Sequence, residues 1–247
     1  MKQVWSVWRA FRILDYFRAG KRHSISEISR ELKLPKSSVY EILTTLEKTG
    51  AVQRDAGSGG FQLGIKLIEL GNRARYNFPL NRVAAARLEA LREAFNETVY
   101  LTVLDQGEVF YADCYESTQS LKTFSTIGDR APLFCTAVGK AILAFQGAEE
   151  VRRVLEGVRL EPFTRNTITD AAALREELRV IAARGYSVDD MEHEVGVRCV
   201  GAPIRDAEGR VFAAISVSGP AQRVTPARET EIAARVVATA REISISL

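Results

Sequence analysis

Three cysteines, two histidines and several clustered carboxylates are the residues of this 247-residue chain that could do covalent or metal chemistry. Cys135 follows an apolar stretch and precedes a helix, a place where a thiolate can be stabilised. His193 stands in "DDMEHE", close in sequence to Cys199, and a Cys–His pair is the pairing of a nucleophile with its base. Asp189, His193 and Cys199 lie in one short stretch, so zinc ligands would be easy to gather there. Against both readings, no spacing shows that cysteine and histidine meet, and the four-ligand pattern of a structural zinc site is absent. The ordinary role of each cysteine is that of a small buried hydrophobe. No catalytic residue, metal site or cofactor is therefore expected.

Other residues suit recognition rather than reaction. Ser216 and Ser218 in "AAISVSG" are two apart on a predicted strand, so they share a face, and inward-facing hydroxyls in an otherwise apolar strand need partners. In "LPKSSVYEILTTLEKTG" the small polar residues lead the helix. Lys36, Ser37 and Ser38 can donate to phosphates or base edges, Tyr40 offers a hydroxyl and a ring, and Thr44 follows one turn later.

These residues depend on the elements around them. Val4, Val7, Trp8, Phe11 and Leu14 recur at helical spacing and predict a first helix over 3–19 with that stripe facing the core. Ser24 with Glu27 has the spacing of a capping box and starts a second helix through Leu32. Pro35 suits the first position of a third helix. That helix has an apolar stripe of Val39, Ile42, Leu43 and Leu46, and Gly50 closes it in a left-handed cap. "AVQRD" and "GFQLG" are two short strands around a glycine-rich tip. Three short helices and a hairpin make a winged helix-turn-helix, which places its recognition helix in the major groove. Arg54 beside the wing is a candidate backbone contact, and Arg9 and Arg22 are within possible reach of phosphates.

A further helix over 64–78 reads as a semi-rigid connector, with the domain boundary between Gly71 and Asn81 and Asn81 capping the next helix. Beyond Asn96 the pattern turns to strands: a hairpin, a third strand at "SLKTFST", helices at "AVGKAILAF", 149–155 and, capped by Thr169, "AAALREELRVIAARG". A strand "YSVDD", a second hairpin and a C-terminal helix over 226–244 follow. The expected fold is α+β, with residues 1–76 forming the winged helix-turn-helix and the start of the connector, and residues 77–247 an antiparallel sheet with helices packed on it.

Charge divides the same way. Residues 1–76 hold 14 Lys and Arg against 7 Asp and Glu, and the remainder holds 20 against 24. A basic first third fits a polyanion-binding part. No apolar run approaches the length of a membrane span, the start lacks a secretory cleavage pattern, and three separated cysteines suit free thiols in a reducing compartment, so a cytoplasmic location without membrane contact is expected.

"LPKSSVYEILTTLEKTGAV", "GFQLG", "APLFCTAVGKAILA", "NTITD", "RGYSVDDMEHEVGVRCVGAPIRD" and "AAISVSGP" occur in this order, and on them the chain resembles the IclR-type transcriptional regulators along nearly its whole length. The resemblance implies a GAF-like C-terminal domain that binds a small molecule, often a carboxylate or aromatic acid. It also implies a homodimer or dimer of dimers on double-stranded operator DNA. Carried over by motif, the effector-binding positions are Ser120, Thr123, Ala137, Val138, Asp189, Cys199, Ser216 and Ser218. Paired hydroxyls with backbone N–H groups suit a carboxylate. The alternative is a zinc- or redox-responsive regulator that uses Asp189, His193 and Cys199. Effector identity, target genes and the sense of regulation are not legible in the chain.

Overall fold

A computed structural model describes residues 3–17, 22–57, 59–125, 127–157 and 159–247. It divides the chain into two compact units, residues 1–77 and 78–247.

The first unit holds helices α1 (Trp5–Tyr16), α2 (Ile25–Leu32) and α3 (Lys36–Lys48), strands β1 (Val52–Arg54) and β2 (Phe61–Leu63), and helix α4 (Ile65–Asn77). Ser24 and Glu27 form the expected capping box: the Ser24 hydroxyl accepts from the Glu27 N–H, and the Glu27 carboxylate accepts from the Ser24 N–H. Pro35 precedes α3 as its cap rather than opening it. Gly50 takes a φ of 77°, and the Ala51 N–H returns to the Leu46 carbonyl, which closes α3 in the left-handed geometry open to glycine. β1 and β2 pair antiparallel, and His23 exchanges two backbone hydrogen bonds with Phe61 to extend the wing.

The small core of this unit is Ile13, Phe17, Ile28, Val39, Leu43, Val52 and Phe61, with Leu14, Ile42 and Leu46 packed against it. This corrects the expectation for α1. Ile13 and Phe17, one turn apart, face inward, whereas Val4, Trp5, Val7 and Phe11 are exposed and Phe11 is 64% accessible. Helical spacing identifies a face of a helix without saying what covers it. The end of the predicted first helix, residues 18–19, lies outside the described residues.

In the second unit, α5 (Pro79–Phe95) leads into β3 (Thr98–Asp105) and β4 (Glu108–Tyr115). Then come β5 (Arg130–Ala131), α6 (Ala137–Leu143), α7 (Ala148–Gly157), α8 (Ala171–Arg184), β6 (Ser187–Asp190), β7 (Val197–Arg205), β8 (Val211–Pro220) and α9 (Glu229–Ile245). The six strands form an antiparallel sheet in the order β5-β4-β3-β8-β7-β6. The period of two along each strand sorts side chains to two faces. Val99 and Leu101 of β3, Val200 and Ala202 of β7, and Ile215 and Val217 of β8 pack beneath α5 and α9. Tyr100, Tyr111 and Ala214 point the other way, toward α6, α7 and α8.

Three local expectations are corrected. Asn81 does not cap α5, which starts at Pro79; its side chain is buried and donates to the Ala112 carbonyl. Asp170, not Thr169, caps α8, accepting from the Ala173 N–H. "SLKTFST" is not a strand in its described residues. Side chains fix it instead: the Thr123 hydroxyl donates to the Ser218 carbonyl and Arg223 donates to the Leu121 carbonyl, so no ladder is needed. The strand that pairs with β4 is β5.

Candidate functional site

On the first unit, Lys36, Ser37 and Tyr40 are exposed at the start of α3, with Ser38 and Thr44 partly so. The opposite face is anchored by Val39 and Leu43, both fully buried. Arg54 is exposed at the wing, with its guanidinium 4.7 Å from the centre of the Phe61 ring, which limits its orientations. Arg22 at the foot of the wing donates to Asp55 at 3.1 Å. The polar start of α3 and the basic wing therefore stand on one small compact unit.

The second unit contains a cavity of about 40 Å³ between the sheet and the start of α6. Strand register builds its floor. Tyr100, Ser216, Gly201 and Ser187 are successive partners across β3, β8, β7 and β6, and the next row on the same face is Thr98, Ser218, Cys199 and Asp189. Directly paired residues share a face, so Ser216 and Ser218, with hydroxyl oxygens 3.1 Å apart, lie beside Cys199 and Asp189. Gly201 is required by close approach: a Cβ there would sit 3.0 Å from the Ala137 carbonyl carbon. The Ser187 hydroxyl donates to the Ala137 carbonyl at 2.5 Å, and the Thr136 hydroxyl accepts from the Gly139 N–H and donates to the Pro132 carbonyl. These bonds set the start of α6 over the sheet.

Of the residues assigned to the effector from sequence, Thr123, Ala137, Val138, Asp189, Cys199, Ser216 and Ser218 line this cavity together. Ser120 does not; it is exposed on a bend before the segment that reaches the mouth. Tyr100, Tyr111, Phe124, Ser125, Thr136, His193, Glu194 and Val197 complete the lining and were not assigned to it from sequence. Tyr100 was findable, because it breaks the phase of Val99 and Leu101 on a strand that reads as apolar. Lys122 at this segment pairs with Glu116.

Electrostatics inside the cavity are unusual. Asp189 is 3% exposed, and burial, with Glu192 nearby, pushes its carboxyl up to about 7 although two N–H groups and Lys140 oppose the shift. Its Oδ1 accepts from the Glu192 N–H at 2.7 Å and the His193 N–H at 3.4 Å. Lys140, 1% exposed, pairs with Glu192, so its charge is already met. Burial pushes the Cys135 thiol up to about 12 and the Cys199 thiol higher still, with Asp189 adding to both, and lowers His193. Thiols held protonated are poor nucleophiles and poor metal ligands. Among the described residues no group of three His, Cys, Asp or Glu is placed to hold a metal ion.

Comparison with known proteins follows this geometry. Residues 6–56 match the model of the IclR helix-turn-helix domain, and residues 74–245 match that of the C-terminal part of bacterial IclR transcriptional regulators. The transcriptional regulator KdgR of Escherichia coli is 36% identical over 244 residues, 99% of this chain and 93% of its own. The Thermotoga maritima IclR structure superposes with a TM-score of 0.78 at 36% identity, covering 98% of both chains. An IclR homologue from Microbacterium hydrocarbonoxydans, solved in complex with 4-hydroxybenzoate, gives a TM-score of 0.85 at 26% identity and also covers 98% of both. No described helix is long and apolar enough to cross a membrane. An N-terminal helix-turn-helix with a wing, followed by a GAF-like α+β domain and matched from end to end by these relatives, identifies the chain as a member of the IclR family of DNA-binding transcriptional regulators.

Proposed function

We propose that the chain regulates transcription in response to a small organic acid bound in the cavity beneath α6, and that the winged unit reads the operator. The observation that carries the effector reading is the convergence of Ser216, Ser218, Asp189, Cys199 and the backbone of Ala137 and Val138 on one buried space. Serine hydroxyls and backbone N–H groups are donors suited to a carboxylate. The relative solved with 4-hydroxybenzoate supports an acid as the class of ligand. Lys36, Ser37, Ser38, Tyr40 and Thr44 are the readout residues, and Arg54, Arg9 and Arg22 meet phosphates.

One winged unit offers a small interface, so two act together on a near-palindromic site, as a homodimer or a dimer of dimers. The exposed apolar face of α1 supports a second copy: Trp5 is 58% and Val7 54% accessible, and an exposed apolar patch of this kind favours association. Residues 1–76 act as the DNA-binding part and residues 77–247 as the sensor, with α4 ending at the junction between them. Action on DNA places the protein in the cytoplasm.

The test is footprinting of the full chain on DNA upstream of its own gene, with and without acids that raise its melting temperature. A protected site whose affinity falls with salt and changes with the acid is expected. Absence of protection, or protection that no such acid alters, contradicts the reading.

A further inference from the structure

The effector reading leaves a chemical difficulty. No lysine or arginine lines the cavity among the described residues, whereas two carboxylates, Asp189 and Glu194, do. Glu194 is exposed, but Asp189 is buried and faces the same space as the serine pair. Its Oδ1 is taken by two backbone N–H groups. Its Oδ2 makes no hydrogen bond among the described residues, and Asp189 lines the cavity. A carboxylate oxygen that no protein group donates to is free to accept from a ligand that brings a donor.

With Asp189 ionised the ligand's own carboxylate is disfavoured at that end, because two carboxylates in contact repel. The sheet separates the two ends. Ser216 and Gly201, beneath Ala137, form one row, and Ser218, Cys199 and Asp189 form the next row on the same face. Two residues along a strand is roughly 6.6 Å, the span of a short carbon chain. The space also limits size. About 40 Å³ is space for a small ligand. Seven of the fifteen lining residues carry hydroxyls, so the walls favour a polar chain over an apolar slot.

We propose that the effector is a short hydroxycarboxylic acid, its carboxylate at the Ser216 end and its hydroxyl donating to Oδ2 of Asp189. This rests on the reading of the cavity as the acid site and narrows it from organic acids in general. Asp189 is then the residue that selects the ligand's hydroxyl, and the neutral thiol of Cys199 and the Ser218 hydroxyl line the same end.

The experiment measures binding of 4-hydroxybutyrate, 4-oxobutyrate and butyrate to the full chain by equilibrium dialysis, with benzoate as an aromatic probe that lacks the hydroxyl. These three share one carbon skeleton and differ in hydroxyl, oxo and hydrogen at one carbon. At about pH 8, above the value of about 7 to which burial pushes the Asp189 carboxyl, 4-hydroxybutyrate is expected to bind about tenfold or more tighter than the other two, the worth of a hydrogen bond to a charged group. Asp189→Asn keeps an oxygen for the two N–H groups and turns an NH₂ donor toward the ligand. It is expected to melt as a folded protein and to shift the preference from 4-hydroxybutyrate toward 4-oxobutyrate. Equal binding of all three, an unchanged 4-hydroxybutyrate preference in Asp189→Asn, or tighter binding of benzoate overturns the hydroxyl assignment while leaving the cavity as an acid site. Binding of none of the four overturns both.

Discussion

At the residue scale, α3 divides its labour by burial. Val39 and Leu43 are fixed in the core, and Lys36, Ser37 and Tyr40 are left free on the surface. Tyr40→Ala removes a surface hydroxyl and ring without touching the core. We expect operator affinity to fall by about tenfold, the low end of the roughly 1–3 kcal/mol attached to a base-edge contact, with an unchanged thermal melt; gel-shift titration with a melting control checks both. Asp189 carries a pH signature. Its folded carboxyl lies above its ordinary value of 3.8, at about 7, so the folded state holds the proton more tightly than the unfolded state. That favours folding at low pH, and the advantage is lost as pH rises from about 4 to about 7, leaving a buried charge above that range. Asp189→Asn should therefore raise the melting temperature more at pH 8 than at pH 5, relative to wild type. A gain of equal size at both pH values would show that the carboxyl titrates normally. The convergence of Asp189, Cys199, Ser216 and Ser218 was legible only through the motifs of the resemblance; strand periodicity by itself gave no more than the shared face of Ser216 and Ser218. The role of Tyr111 was not, because a bulge between Leu101 and Thr102 shifts its register and no local pattern announces a bulge.

At the scale of elements, the start of α6 is held by close backbone approach and a buried charge. Gly139 is one such contact: a Cβ would lie 2.5 Å from the Leu133 carbonyl oxygen and 2.6 Å from its Cα. Gly139→Ala must push backbone aside and should destabilise the second unit by about 1–3 kcal/mol, measured by urea denaturation. Lys140 is the other. It is buried against Glu192 and lies 3.8 Å from Glu177. Lys140→Met strands a buried carboxylate and should cost about 3–5 kcal/mol, whereas adding Glu192→Gln should recover much of the loss. Additive losses would show that the pair is not coupled. Caps with two matching signals, such as Ser24 with Glu27, were readable in sequence. Thr169 and Asp170 were adjacent candidates for one cap, and only the hydrogen bond to Ala173 decides between them. The stretch 120–125 read as a strand because its residues suit one, but its partners are distant side chains and carbonyls that sequence does not display.

At the scale of the whole molecule, fold class and order of domains were legible because charge, periodicity and turn residues changed together along the chain. What covers the stripe on α1 was not, since helical spacing is silent about partners. If that face meets a second copy, Phe11→Glu should weaken operator binding by tenfold or more and reduce the mass seen in solution, while the melting shift given by the effector persists. The central claim joins the two units: a ligand in the cavity beneath α6 changes the DNA affinity of the winged unit, which requires that it bind two states of the protein unequally. The most direct measurement is operator affinity of the full chain with and without an acid that raises its melting temperature, in wild type and in Ser216→Ala/Ser218→Ala. The account predicts a ligand-dependent change of tenfold or more in wild type and none in the double variant at the same acid concentration. An equal change in both would contradict it.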